Sequence, residues 1–481
     1  MSELPILEGI LKYVEKDNIR FCTPGHKGGR GFLNTPIGKE FMEHFLACDI
    51  TEVEGTDNLH NPQGIIKKSL ELLTKFYGSK KSYFLVNGST SGNLIMMFSS
   101  FKEGDKVLIE RNCHRSIFNA IIMRKLKPVY VNNKVSDKLN APVCIDLEHF
   151  LKVLDENKDA KGIVVTYPNY YGMCCNLKYV IEQARKYDIK VLVDAAHGAH
   201  FGIHKDLPKS AVKLNADMVV TSTHKTLSSL TQTSYLHVNN KEDIEKADFY
   251  VSAFSSTSPS YLFLGSMDYA RYYLETCGEK EYEKLLSMLN FYRNKINLIE
   301  GINVISKDDV KQSSIYDIDN TRYVINLEKG YSGYLLGDYL RENNIDVEMS
   351  DHSNVVLIFS PFNEEWEIKK LYNVLRECDL NKLKIEEFNL LNYDIPLMAY
   401  MPFEVMDKKK EYVNIKNSLG RISAVNVVPY PPGVPIINMG EVISDRILNA
   451  ICYYKDRGVD ILGLEENKIE VIDEFGGGRN E

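Results

Sequence analysis

A lysine that closes an apolar run and sits among small hydroxyl residues is the group in this sequence best placed to do chemistry. The segment ADMVVTSTHKTLSSLTQTSYLH carries Lys225 just past a strand-like stretch, with Ser222, Thr223 and His224 beside it. Burial at a strand end disfavours the ammonium form and leaves a neutral amine that can attack an aldehyde. A solvated loop lysine is the ordinary alternative, so a second group is needed. Asp194 supplies it at the end of KVLVD, upstream of Lys225. A carboxylate there can keep a pyridine nitrogen protonated and make the ring a better electron sink, although nucleotide and metal sites use strand-end aspartates too. The pair says more than either member, and it points to pyridoxal phosphate (PLP).

A third loop, FLVNGSTSGNL, follows a strand and opens a helix, with Gly88, Ser89, Thr90, Ser91 and Gly92 exposing backbone N–H groups. Such a helix start suits a phosphate dianion. The loop has no GK[ST] ending, which disfavours ATP. RNCHRS then follows the strand KVLIE and carries His114 to the same sheet edge, where an imidazole can stack on a ring.

These loops need elements to hold them. From about residue 68 to 264 short apolar runs alternate with amphipathic stretches, among them SYFLV, KVLIE, PVYV, GIVVTYP, KVLVDAA, ADMVVTST and TSYLHV, with a helix expected from Asn93. That rhythm predicts an α/β fold with a mainly parallel sheet whose ligands gather at the strand ends. A polar helical stretch around 271–298 leads to a second, smaller α/β pattern: INVI, RYVINL, GYLLGDYLRENN, IDVEM, NVVLIFS and a helix ending near Cys378. The reading divides the chain into an N-terminal arm with a large cofactor-binding domain (1–265), a connecting helix with a small α/β domain (266–378) and a C-terminal α+β domain (379–481). The tail GGGRNE is expected to be flexible.

The 481 residues include 44% hydrophobic and 26% charged, an ordinary soluble composition, and no apolar run is long enough for a membrane span. Nine scattered cysteines and no secretory pattern suggest reduced thiols and a cytoplasmic address. A net charge of −8 argues against nucleic acid as a general partner.

The motifs resemble the Orn/Lys/Arg decarboxylase family, PLP enzymes of the aspartate-aminotransferase fold (fold type I). They run in order as TPGHKGG (23–29), GTDNLHNPQGII (55–66), NGSTSGN (87–93), RNCHRS (111–116), DAAHGAHFG (194–202), STHKTL (222–227), STSPSY (256–261), GRISA (420–424) and PYPPGVP (429–435). The likeness is to the short Gram-positive arginine and lysine decarboxylases. It implies that Lys225 carries PLP as a Schiff base, Asp194 pairs with the ring nitrogen, and His114 and Ala196 cover its two faces. Ser89, Thr90, Ser222 and His224 would hold the phosphate. Ser256 and Thr257 would come from the neighbouring subunit of a homodimer or larger homo-oligomer with shared active sites.

The implied reaction is decarboxylation of a basic amino acid, with arginine marginally ahead of lysine and ornithine, and a role in polyamine supply. The proton returned to Cα would come from Lys225 or a nearby histidine, with His197 the candidate. Asp57, Glu411 and Glu441 are candidates for binding the substrate's distal cation. A fold-type-I aminotransferase or lyase is the alternative within PLP chemistry, but it leaves TPGHKGG and PYPPGVP without a role. From another class, His197, His200 and His204 have a spacing that could bind Zn²⁺; no metal site is expected, because the glycines among them suit a cofactor loop better.

Overall fold

Strand-forming apolar runs dominate the first half of the chain, and seven of them join one sheet. The computed structural model describes residues 3–310, 315–387, 395–430 and 435–473. In chain order the strands are Lys81–Leu85 (β1), Lys106–Glu110 (β2), Lys127–Val131 (β3), Gly162–Thr166 (β4), Lys190–Asp194 (β5), Met218–Thr221 (β6) and Ser234–Val238 (β7). Their spatial order is β1-β7-β6-β5-β4-β2-β3, with β7 antiparallel to both neighbours and the remaining pairs parallel. Both faces are covered, which is why the strands read as unbroken apolar runs. Val107, Ile109, Val164 and Leu192 pack on one side, and Leu108, Ile163, Val191 and Val193 on the other.

Parallel pairing brings the C-terminal ends of these strands to one edge. Asp194, the last residue of β5, lies in register with Thr166 of β4 and Val220 of β6. The loops after those strands therefore flank the aspartate.

The chain opens with the exposed helix Pro5–Glu15 (α1), and the helices packed around the large sheet include Ile65–Tyr77 (α2), Gly88–Ser100 (α3), Arg115–Met123 (α4) and Tyr261–Ile296 (α5). Helix α3 starts at Gly88 and not at Asn93, because the Gly/Ser/Thr stretch is itself the first turn. The helix lies tight on the sheet: a Cβ at Gly92 would stand 2.5 Å from Val220 Cγ2. Helix α5 begins ten residues earlier than the sequence pattern suggests, and the expected domain edge at residue 265 falls inside it.

The second unit is a four-stranded antiparallel sheet of Ile302–Val304 (β8), Arg322–Leu327 (β9), Met349–Ser350 (β10) and Asn354–Ile358 (β11), in the order β8-β9-β11-β10. Helices Gly333–Glu342 (α6) and Glu365–Glu377 (α7) accompany it. The IDVEM segment splits. Ile345–Val347 leaves this sheet and pairs in parallel with the N-terminal strand Ile19–Phe21, which brings residue 348 to the TPGHKGG loop. One apolar core runs without a break from Ile19 to Leu383.

The last unit has a separate core around Val427, Ile437, Ile451 and Val471. It comprises Lys410–Asn414 (β12), Asp445–Asp456 (α8), Leu464–Glu465 (β13) and Lys468–Ile472 (β14), with the sheet ordered β12-β14-β13. Four residues of PYPPGVP and the GGGRNE tail lie outside the described residues.

Candidate active site

Lys225 sits on a single helical turn, Thr223–Thr226, directly after β6. Burial pushes its amine below the usual lysine range, opposed by the charges of Asp194 and Glu348. Its Nζ lies 2.9 Å from His197 Nε2 and 5.9 Å from the centre of the Tyr170 ring. His197 is buried, and desolvation, reinforced by Lys225, holds its pKa well below the usual value. A neutral imidazole whose Nε2 accepts from the amine fits both observations. The ring packs 4.8 Å from Tyr170.

Asp194 is 3% exposed. Its Oδ2 accepts from Asn93 Nδ2 at 2.8 Å and its Oδ1 from the Ala196 N–H at 3.1 Å. No cation pairs with it among the described residues. A buried carboxylate satisfied only by neutral donors is a site for a protonated ring nitrogen. Asn93 also donates to Ser116 Oγ at 2.9 Å, and Ser116 Oγ is 2.7 Å from His114 Nδ1. The aspartate and the stacking candidate thus share one network. Burial lowers the His114 pKa, while Asp194 opposes and Lys225 assists that shift, so His114 stands within electrostatic reach of both.

On the phosphate side, Ser222 Oγ donates to Ser89 Oγ at 2.9 Å, joining the start of α3 to the lysine turn. His224 Nδ1 is 3.0 Å from the carbonyl of Thr233, and burial lowers its pKa. Ala196 lends its carbonyl to the Ser222 N–H at 3.2 Å. Thr90, Ser256 and Thr257 are exposed in the single subunit, and Ser256 Oγ is engaged by the backbone of Ser258.

The TPGHKGG loop clamps these parts from below. Gly25 N–H donates to the His224 carbonyl at 2.7 Å, Ser360 Oγ donates to the Gly25 carbonyl at 2.6 Å, and the buried Lys27 Nζ donates to the carbonyls of Cys22 and Ile358 at 2.6 and 2.9 Å. A Cβ at Gly25 would stand 2.6 Å from the Leu227 carbonyl oxygen, so only glycine lets the loop approach the lysine turn.

The three acids considered for the distal cation are engaged elsewhere. Asp57 accepts N–H groups from Asn58, Gln63, Gly64, Ile66 and Lys67, organising the start of α2. Glu411 is partly exposed and pairs with Arg421 at 2.6 Å. Glu441 is fully buried and bidentate to Arg111 at 2.7 and 2.8 Å. The zinc alternative fails on geometry. His197 turns to Lys225, His200 to Asp319 at 3.2 Å, and His204 to Glu283, and the described residues contain no cluster of three such ligands. Tyr170, Asn93, Arg322 and Glu348 are site neighbours the sequence reading did not single out. Tyr170 follows a strand end, the signal that found Asp194, whereas nothing local marks Glu348.

The family follows from the sequence comparisons. Residues 4–366 match the Orn/Lys/Arg decarboxylase major domain, and residues 395–457 match the Orn/Lys/Arg decarboxylase C-terminal domain. The chain belongs to the Orn/Lys/Arg decarboxylase family. It is 34% identical over 480 residues to an arginine decarboxylase of Bacillus subtilis (strain 168), covering 98% of this chain and 97% of that protein. Its fold is that of the Escherichia coli constitutive lysine decarboxylase, with a TM-score of 0.76 at 20% identity over 97% of this chain and 82% of the other. A serine palmitoyltransferase solved with PLP shares it with a TM-score of 0.56 at 15% identity over 75% and 86% of the two chains. The fold is therefore PLP fold type I, and the protein is a PLP-dependent decarboxylase of basic amino acids. The residues at the sheet edge fit that cofactor: a depressed amine for its aldehyde, an uncompensated carboxylate for its ring nitrogen, and a hydroxyl-lined helix start for its phosphate.

Proposed function

We propose that the protein decarboxylates arginine in preference to lysine and ornithine, using Lys225, Asp194, His114 and His197 in the roles the sequence suggests. The observation that carries the catalytic assignment is the convergence of a desolvated Lys225 amine, His197 at 2.9 Å and the unpaired carboxylate of Asp194 at one sheet edge. The arginine preference draws support from the name of the Bacillus subtilis relative.

Burial lowers the Lys225 pKa and so favours the neutral amine, the nucleophile that would hold PLP through its aldehyde. Asn93 and the Ala196 N–H fix the Asp194 carboxylate, which would keep the ring nitrogen of PLP protonated. PLP, when bound, supplies the electron sink for the pair released as CO2 leaves. His114 and Ala196 would flank the ring, and Ser89, Thr90, Ser222 and His224 would hold the phosphate. His197 exchanges a proton with Lys225 across their 2.9 Å contact, and this pair returns a proton to Cα.

The working unit is a homodimer or larger. Helix α1 buries none of its residues, and Leu7, Ile10, Leu11 and Val14 are all more than half exposed. A second subunit would cover this face and bring Ser256 and Thr257 to the phosphate site. No helix among the described residues is long and apolar enough to cross a membrane. We place the enzyme in the cytoplasm, where its amine product feeds polyamine synthesis.

Measuring kcat/KM with arginine, lysine and ornithine tests the substrate assignment. The expected order puts arginine first, and a higher value for lysine or ornithine overturns it.

A further inference from the structure

A cationic substrate needs a carboxylate with no cation of its own, and the acids proposed from sequence are committed to other partners. Glu348 is different. It lies on the turn between Ile345–Val347 and β10, half-buried, with Oε2 accepting the Thr23 N–H at 2.8 Å and Oε1 accepting the Tyr170 hydroxyl at 3.3 Å. No ion pair to Glu348 exists among the described residues.

The cations around it make no ion pair to it, although the Lys27 charge acts on it from a distance. Lys27 Nζ serves the carbonyls of Cys22 and Ile358. The Arg322 guanidinium donates to Asp319, to the Tyr170 carbonyl and to the His197 carbonyl. What remains is a carboxylate held by two neutral donors, with lone pairs unused, in electrostatic contact with the catalytic amine.

Tyr170 links the two. Its ring lies 5.9 Å from Lys225 Nζ and its hydroxyl donates to Glu348. An aliphatic chain running from the reacting amine can lie along that ring, with its cation beside the carboxylate. The contact between the N-terminal strand and Ile345–Val347 places Glu348 here, which gives the TPGHKGG loop a part in specificity as well as in support.

We propose that Glu348 is the specificity-determining carboxylate that receives the distal cation of the basic amino acid, with Tyr170 orienting it. This rests on the decarboxylase reading above. A purely structural Glu348, holding only the Thr23 N–H, makes the opposite prediction for the experiment that follows.

The test compares wild type with E348Q using L-arginine as substrate and L-citrulline, its neutral near-isostere, as a competitive inhibitor. Removing the charge costs one charge-assisted bond, about 10- to 100-fold in affinity. E348Q is expected to raise the KM for arginine at least 10-fold, change kcat by less than about threefold, and leave the citrulline Ki within about threefold, with the cofactor absorbance unchanged. An unchanged arginine KM, or arginine and citrulline weakened in parallel, overturns the proposal. If E348Q fails to fold or load PLP, Tyr170→Phe carries the same test: a selective loss for arginine supports the proposal, and a parallel loss or none overturns it. Failure of the decarboxylase reading is visible separately, since the wild type would then release no CO2 from any basic amino acid. Agmatine binding to wild type and E348Q, followed by absorbance, would in that case report on Glu348, with equal affinities overturning it.

Discussion

Replacing Glu441 with Gln should loosen the C-terminal unit and disturb the cofactor site at once, although Glu441 touches no reacting group. The pair Arg111–Glu441 is closed to water, with side chains 4% and 0% exposed, and is bidentate at 2.7 and 2.8 Å. The Asn438 N–H donates to the same carboxylate at 2.7 Å, and Arg111 also reaches the Ile436 carbonyl at 3.2 Å. Removing one partner of such a pair leaves a desolvated charge and costs about 3–5 kcal/mol, whereas replacing both by apolar groups of similar volume is close to neutral. E441Q or Arg111→Met alone should therefore lower the urea midpoint clearly, and Arg111→Met with Glu441→Leu should recover most of the loss. Arg111 opens the RNCHRS segment that carries His114, so the single variants should also bind PLP more weakly. Urea titration followed by both fluorescence and cofactor absorbance reads the two effects. Single variants as stable as wild type, or a double variant whose loss equals the sum of the singles, would refute this reasoning.

Asp194→Asn keeps the shape but removes the charge meant for the ring nitrogen; kcat should fall about 100-fold or more with cofactor still bound, as measured by CO2 release. Glu110, buried at the end of β2 and accepting from Asn133 and the Thr166 N–H, has its pKa pushed up to about 7 by desolvation. The folded state holds that proton more tightly than the unfolded chain, so its contribution is complete below about pH 4.5 and is lost as pH rises through 7, about 3 kcal/mol at most. Urea midpoints of wild type should fall over that interval more steeply than those of Glu110→Gln; identical slopes would contradict the assignment.

The large sheet was legible because its strands are continuous apolar runs ending in Asp194 or in the hydroxyl cluster before Lys225, and strand ends are where chemistry collects. The start of α3 was missed because glycine, serine and threonine read as loop when their helix owes its stability to packing on β6. The splitting of IDVEM was invisible for a stronger reason: the partner of Ile345–Val347 is Ile19–Phe21, more than three hundred residues away, and no local pattern encodes such a pairing. The same distance hid Glu348. Glu441 drew notice because it follows PYPPGVP, but its partner Arg111 lies in another motif and unit, so the sequence could not distinguish a pocket acid from one half of a buried ion pair.

The most direct test of the account is an absorbance spectrum of purified wild type and Lys225→Ala, paired with CO2 and amine detection on arginine, lysine and ornithine. Wild type should show the band of a lysine-bound PLP and convert at least one of the three to its amine, arginine fastest, while Lys225→Ala should lose both the band and turnover. A Lys225→Ala protein that keeps the band and still releases CO2, or a wild type that binds no PLP, would contradict the central claim.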